Sequence, residues 1–298
     1  MPKRYPLLVF WIGFLTVTAF NACKVDKSFI PSYIEISKID IDASSINGNN
    51  IHDIKAIQVY VNNQTVGTFP IPCKFPIDAS GKVEIQATAF VKINGNSQTL
   101  VPFRSLNILK DTLTVEREKT TSWQPQFTYR NNVEIVWQED FEDSSATFVP
   151  IRKDSLDYTR IELRPFNLNN IFTSPSLVHV SRFADVDTFR SMDFAYFSRI
   201  TSLPADGRDA ILEFDINTAL PVLVAVRRFS TTQIEYVPYV TVNATNNEWK
   251  RFYINLIYEI QGQPANTQYE IFFSLDKPQN FEGSTEFLID NIRLSYLK

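Results

Sequence analysis

Groups able to do chemistry are few in this chain of 298 residues. There are two histidines, His52 and His179, and neither has a Cys or a second His nearby. Zinc takes about four Cys, His or carboxylate ligands at short spacings, so these two do not announce a zinc centre. His52 lies in a polar stretch ahead of an apolar run. His179 stands between Val178 and Val180, which puts it on one face of a strand, at the surface or the edge of a core. Gly-x-Ser-x-Gly, His-Glu-x-x-His and a phosphate-cradling Gly loop are all missing.

Carboxylates and aromatics remain. Splitting a glycosidic bond takes two acids flanking it. Glu-x-Asp-x-x-Glu on one strand would aim three acids into a cleft, and the chain has no such run. Asp185, Asp187, Asp206 and Asp209 fall in turn-like loops. The expectation is a protein that is not an enzyme. Rings are abundant, with 24 Phe, 12 Tyr and 4 Trp. A sugar presents C–H faces that stack on an exposed ring. Tyr196, Tyr236 and Tyr239 are the candidate ligand-binding residues. The stretch Tyr236-Val237-Pro238-Tyr239 is the best of these, since Pro favours an edge strand.

These side chains must be positioned by strands. Aromatic and β-branched residues are common, and no segment keeps a 3.6-residue apolar period. Ile34, Ile36, Ile39 and Ile41 alternate with one slip. Ile57–Val61 and Gln64–Phe69 flank Asn62-Asn63, a hairpin signal because Asn tolerates positive φ. Lys82–Ile93 alternates cleanly up to Asn94-Gly95. Further strands are read at 113–115, 134–137, 176–180, 192–197, 210–216, 221–228, 236–242, 249–256, 269–275 and 286–294. The predicted fold class is all-β, two tandem β-sandwiches after a signal peptide. The boundaries are 1–22 for the leader, 23–30 for a tether, 31–118 for the first sandwich, 119–132 for a linker and 133–298 for the second.

The N-terminus reads as an address. Lys3 and Arg4 precede an apolar run, Tyr5 to Phe20, that is short for a bilayer span of about 20 residues. Phe20-Asn21-Ala22-Cys23 then resembles a bacterial lipobox. That resemblance implies cleavage before Cys23, fatty acylation of its thiol (palmitate among the chains) and a lipid anchor in the bacterial outer membrane. Asp26 is the one acid in the tether, so the periplasmic face and the cell surface both stay open. Net charge is −4 with no basic stripe, which argues against nucleic acid and against binding anionic headgroups by charge. With Cys23 acylated, Cys73 is a lone thiol with no His or Cys to activate it, and is expected to be buried and inert.

The segment Val59–Asn63 through Gly67-Thr68, followed by Pro70, resembles the hairpin of immunoglobulin-like modules of exported bacterial proteins. Asp140-Phe141-Glu142, Ser176-Leu177, Glu213-Phe214-Asp215-Ile216, Trp249-Lys250-Arg251-Phe252 and Phe287–Leu294 resemble, in order and spacing, a carbohydrate-binding-module jelly roll of the galactose-binding-like superfamily. That second resemblance implies a structural Ca²⁺ between the first and last strands. Glu142 and Asp290 would be its ligands and Asp140 a third. The expected partners are the membrane through the lipid, and a glycan or an envelope protein. The expected function is binding or adhesion. The alternatives are a structural subunit of an envelope assembly and a jelly-roll glycoside hydrolase.

Overall fold

The structure, a computed structural model, describes residues 30–298 except 97, 144, 152–158, 169–170, 173–174, 184–190, 197, 202, 232 and 280. The leader, Cys23, most of the tether, Asp185 and Asp187 lie outside the described residues.

The first domain contains β1 (Ser32–Ile36), β2 (Asp40–Asp42), β3 (Ala56–Val61), β4 (Gln64–Pro70), β5 (Cys73–Ile77), β6 (Gly81–Lys92), β7 (Leu100–Pro102), β8 (Leu109–Val115), β9 (Thr120–Ser122) and β10 (Gln126–Thr128). A five-stranded sheet runs β4-β3-β6-β7 with β8 also on β6; β5-β1-β9 and β10-β2 form two smaller sheets. Val83, Ile85, Ala87, Ala89 and Val91 of β6 point into one core with Ile34, Ile36, Ile57, Val59 and Phe75. The hairpin between β3 and β4 turns on Asn62 (φ 49°) and Asn63 (φ 65°), the left-handed pair such a turn requires. Asn94 and Gly95 also take positive φ. They do not close a tight hairpin, because β6 pairs with β7 only from Lys92 opposite Leu100.

Residues 119–132 are more than a join. β9 pairs parallel with β1 and β10 parallel with β2. Trp123, Pro125, Phe127 and Tyr129 are buried while the residues between them are exposed. That alternation is a strand signal, and burying three large rings ties the segment to the first domain.

The second domain contains β11 (Val133–Glu139), β12 (Phe148–Pro150), β13 (Thr159–Arg164), β14 (Asn167–Leu168), β15 (Ile171–Phe172), β16 (Ser176–Phe183), β17 (Ser191–Tyr196), β18 (Ala210–Thr218), β19 (Val222–Phe229), β20 (Ile234–Val242), β21 (Lys250–Asn255), β22 (Gln268–Asp276) and β23 (Thr285–Leu297), with a short helix α1 (Ile257–Ile260) after β21. One sheet runs β13-β16-β23-β18-β21 with β11 on β23, and the other runs β12-β17-β22-β19-β20. All their pairs are antiparallel. Phe148, Phe183, Phe194, Phe214, Phe273 and Phe287 fill the space between the two sheets. The predicted all-β class with sandwiched sheets is what the chain adopts.

The two domains share a seam. Ile211 and Tyr253, from the second domain, belong to the first domain's core cluster. The Tyr253 hydroxyl accepts the Asp53 N–H at 2.9 Å, and the Tyr253 carbonyl accepts the Asn94 N–H at 2.8 Å.

Candidate ligand-binding face

The outer face of the five-stranded sheet of the second domain is built by register. Ala195, Phe272, Ala225 and Pro238 stand in one cross-strand row. Asp193, Ser274 and Leu223 form the next row, and Glu270, Arg227 and Tyr236 the row on the other side. The alternate residues Phe194, Phe273, Val224 and Val226 go to the core. Ala195 and Ala225 end at Cβ, so Phe272 forms the floor between them. Tyr236 sets its ring edge-on to Phe272, with centroids 5.3 Å apart, and remains 44% exposed.

Polar groups frame the rings. The Arg227 guanidinium lies 5.4 Å over Phe272 and 3.0 Å from Glu270. Ser274 Oγ donates to Asp193 Oδ1 at 2.7 Å. Burial, and then the nearby Asp193 charge, raise the Tyr236 phenol above its usual range, so it stays a neutral donor and acceptor. An exposed ring with a guanidinium and two acids within reach can stack on a sugar's C–H face and bond its hydroxyls.

The three candidate tyrosines part company here. Tyr236 is on the face. Tyr239 is not: three residues on from Tyr236 it takes the opposite parity, and at the slip between Val224 and Ala225 it packs against the core. Its hydroxyl donates to the Asn255 carbonyl at 2.6 Å, and burial pushes it up to about 12. Tyr196 shares parity with Met192 and Phe194 and packs on Trp137, centroids 4.9 Å apart. No sequence signal singled out Phe272, Arg227 and Asp193; only the register brings them to Tyr236.

The proposed Ca²⁺ ligands occupy the other sheet. Phe141 takes φ 56° and turns its ring into the core, which leaves Asp140 and Glu142 on the rim. Glu142 Oε1 accepts from Ser176 Oγ at 3.1 Å and from the Leu177 N–H at 2.9 Å. Asp290 Oδ2 lies 2.9 Å from the same hydroxyl. Asp140 Oδ1 instead receives the Glu142 N–H at 3.3 Å. Burial, with the Asp215 charge adding to it, pushes the Asp290 carboxyl up to about 8. A cation needs six to eight oxygens and ionised acids. A serine hydroxyl bridging two carboxyls is a hydrogen-bonded clasp and does not fit that need. Among the described residues no three His, Cys, Asp or Glu side chains converge in a way that could hold a metal ion.

The two histidines and Cys73 lie away from the Tyr236 face. His179 is buried among Phe141, Phe148 and Phe194, within 3.0 Å of Ser181 Oγ, and burial lowers it to about 3. It belongs to the core, not to an edge. His52 Nε2 meets the Ile39 carbonyl at 3.0 Å, and burial lowers its pKa too. Cys73 is a free, half-buried thiol raised by burial.

The acids and bases of β18, β21 and β23 form a buried network that sequence reasoning missed. Arg293 forks onto Glu213 at 3.1 and 3.2 Å and lies 5.0 Å over the Tyr129 ring of the first domain. Arg251 stands 3.7 Å from both Glu213 and Asp215.

No protein-family model and no curated protein sequence matches the chain. Among solved structures it is similar to the CBM22-2 xylan-binding domain from Paenibacillus barcinonensis Xyn10C, at 11% identity over 54% of this chain and 99% of that one, TM-score 0.34. It is also similar to TmCBM61 in complex with β-1,4-galactotriose (15% identity, 49% of this chain, 85% of that one, TM-score 0.29). An exo-β-agarase is a third (13% identity, 55% of this chain, 25% of that one, TM-score 0.37). Likenesses this distant assign neither ligand nor activity.

Proposed function

We propose that the chain is a non-catalytic glycan-binding protein of the bacterial cell envelope, anchored by lipid on Cys23. The observation that carries the glycan reading is Tyr236, an exposed ring braced on Phe272 with Arg227, Glu270, Asp193 and Ser274 around it. A sugar chain lying across β20, β19 and β22 would stack on that ring and exchange hydroxyl hydrogen bonds with the polar rim. The anchor rests on the Phe20-Asn21-Ala22-Cys23 match alone.

A glycan array probed with the full-length chain in detergent tests the binding. The expected result is a neutral-glycan signal that Tyr236→Ala reduces about five- to tenfold, the factor that a ring contact of about 1–1.5 kcal/mol carries. Silence from the unaltered chain, or a signal that Tyr236→Ala leaves intact, refutes it. Intact mass measurement of the protein from its native host tests the anchor separately. A mature species that starts at Cys23 and carries acyl chains is expected.

A further inference from the structure

The domain seam leaves a cleft of about 790 Å³ on one side, within the ~300–1,000 Å³ range of ligand sites. The end of β6 and the start of β21 both line it, with Lys92 and Lys250. Both are exposed and neither has an ion-pair partner among the described residues. Lys55 also lines the cleft and is held by Asp53 at 2.5 Å. Arg251 closes the back; it is buried, and its Nη2 has no hydrogen-bond partner. Glu248 is the other acid in the lining. Four cations therefore face two acids there, with Glu213 and Asp215 behind Arg251. The whole chain carries −4, so this cleft departs from the sign of the rest.

The other lining groups are carboxamides. Asn96, Asn167, Asn217, Asn243 and Asn247 all border the space. Each amide carries donors and an acceptor suited to a sugar's vicinal hydroxyls. Two rings line the space: Trp249 is buried and bonded through Nε1 to the Pro165 carbonyl at 3.1 Å, and Phe252 is half-buried and stacked on Phe214 with centroids 5.8 Å apart, so neither ring of the lining is a fully exposed platform for bases. The cleft is preformed, because Asn94 Oδ1 accepts the Asn255 N–H at 2.8 Å and Arg251 Nη1 donates to the Ile51 carbonyl at 2.5 Å.

We propose that this cleft is a second binding site, distinct from the Tyr236 face, and that it takes an anionic polysaccharide. Lys92 and Lys250 meet the carboxylates or sulfates, and the asparagines bind the hydroxyls. A cationic cleft with low-dielectric walls concentrates such a ligand.

Binding of the full-length chain in detergent to labelled oligosaccharides tests this. The probes are oligogalacturonate for carboxylates, a sulfated dextran oligosaccharide for sulfates, a neutral β-1,4-galactan oligosaccharide, and single-stranded RNA of matched charge. At least one anionic sugar should bind about tenfold more tightly than the neutral one, and should weaken as salt rises from about 50 to about 300 mM. Lys92→Gln with Lys250→Gln should cost about tenfold, and the paired Lys→Arg changes should keep the binding. Tyr236→Ala should leave it unchanged, so failure here is separable from failure of the sheet face. The proposal is overturned if neither anionic sugar binds, if RNA binds as tightly, or if the paired Lys→Gln change has no effect.

Discussion

Removing Arg293 should open the seam between the domains. Its guanidinium makes two charged hydrogen bonds to Glu213, at 3.1 and 3.2 Å, with both side chains nearly inaccessible. It also caps the Tyr129 ring of the first domain at 5.0 Å. After Arg293→Ala, Glu213 keeps only Arg251, at 3.7 Å, which Asp215 shares. Breaking a buried pair from one side costs about 3–5 kcal/mol, because the orphaned charge stays out of water. That is a large share of the roughly 5–15 kcal/mol a domain has. Urea unfolding followed by tryptophan fluorescence reads both domains, through Trp123 in the first and Trp137 and Trp249 in the second. With a slope of about 3 kcal/mol per molar, the midpoint should fall by about 1–1.7 M. Glu213→Gln combined with Arg293→Met removes both charges and should recover at least half of the loss. A loss under about 1 kcal/mol, or a double variant weaker than the single one, would refute the argument.

Two further outcomes follow from buried polar groups. His179 is depressed from 6.5 to about 3 by burial, so between those values the unfolded chain takes up a proton that the folded chain refuses. Its stabilisation is complete above about pH 6.5 and is lost as pH falls toward about 3. Stability between pH 6 and 4 should therefore fall more steeply in the unaltered chain than in His179→Leu, and the His179 ring proton resonances should not titrate above pH 4.5. Ca²⁺ at a few millimolar should leave the melting temperature within about 1 °C, because Ser176 already bridges Glu142 and Asp290. A rise of several degrees reversed by a chelator would show that the clasp opens to the ion.

The strands were legible because alternation is local. Lys82–Ile93 and Glu286–Leu294 read as strands from sequence; the first is β6 up to Lys92, one residue short of Ile93, and the second lies within β23. The Asn62-Asn63 turn was legible for the same reason, since the need for positive φ is met by the residue itself. Asn94-Gly95 carries the same local signal and adopts the same backbone, yet Asn94 is spent on tethering the loop to β21. Thr120–Tyr129 also alternates, but its polar half and Pro125 resembled a join. Parallel pairing to β1 and β2 has no marker in the segment's own composition.

The site was harder to read, for a reason that β18 and β20 share. Glu213 and Asp215 alternate with Leu212, Phe214 and Ile216, a pattern that means one apolar face and one polar face. Period-two alternation does not say what covers the polar face. Here another domain covers it, and the acids survive burial only because β21 and β23 bring Arg251 and Arg293 into register with them. In β20 the difficulty is parity. Tyr236 and Tyr239 are three apart, so a regular strand sends them to opposite faces, and the register with β19, which sets Tyr236 opposite Arg227, decides which of them meets Phe272. A one-residue slip reverses every side chain beyond it. The choice between an exposed ring beside Arg227 and a phenol bonded to Asn255 is therefore made by pairing with β19, a contact no property of Tyr236 or Tyr239 records.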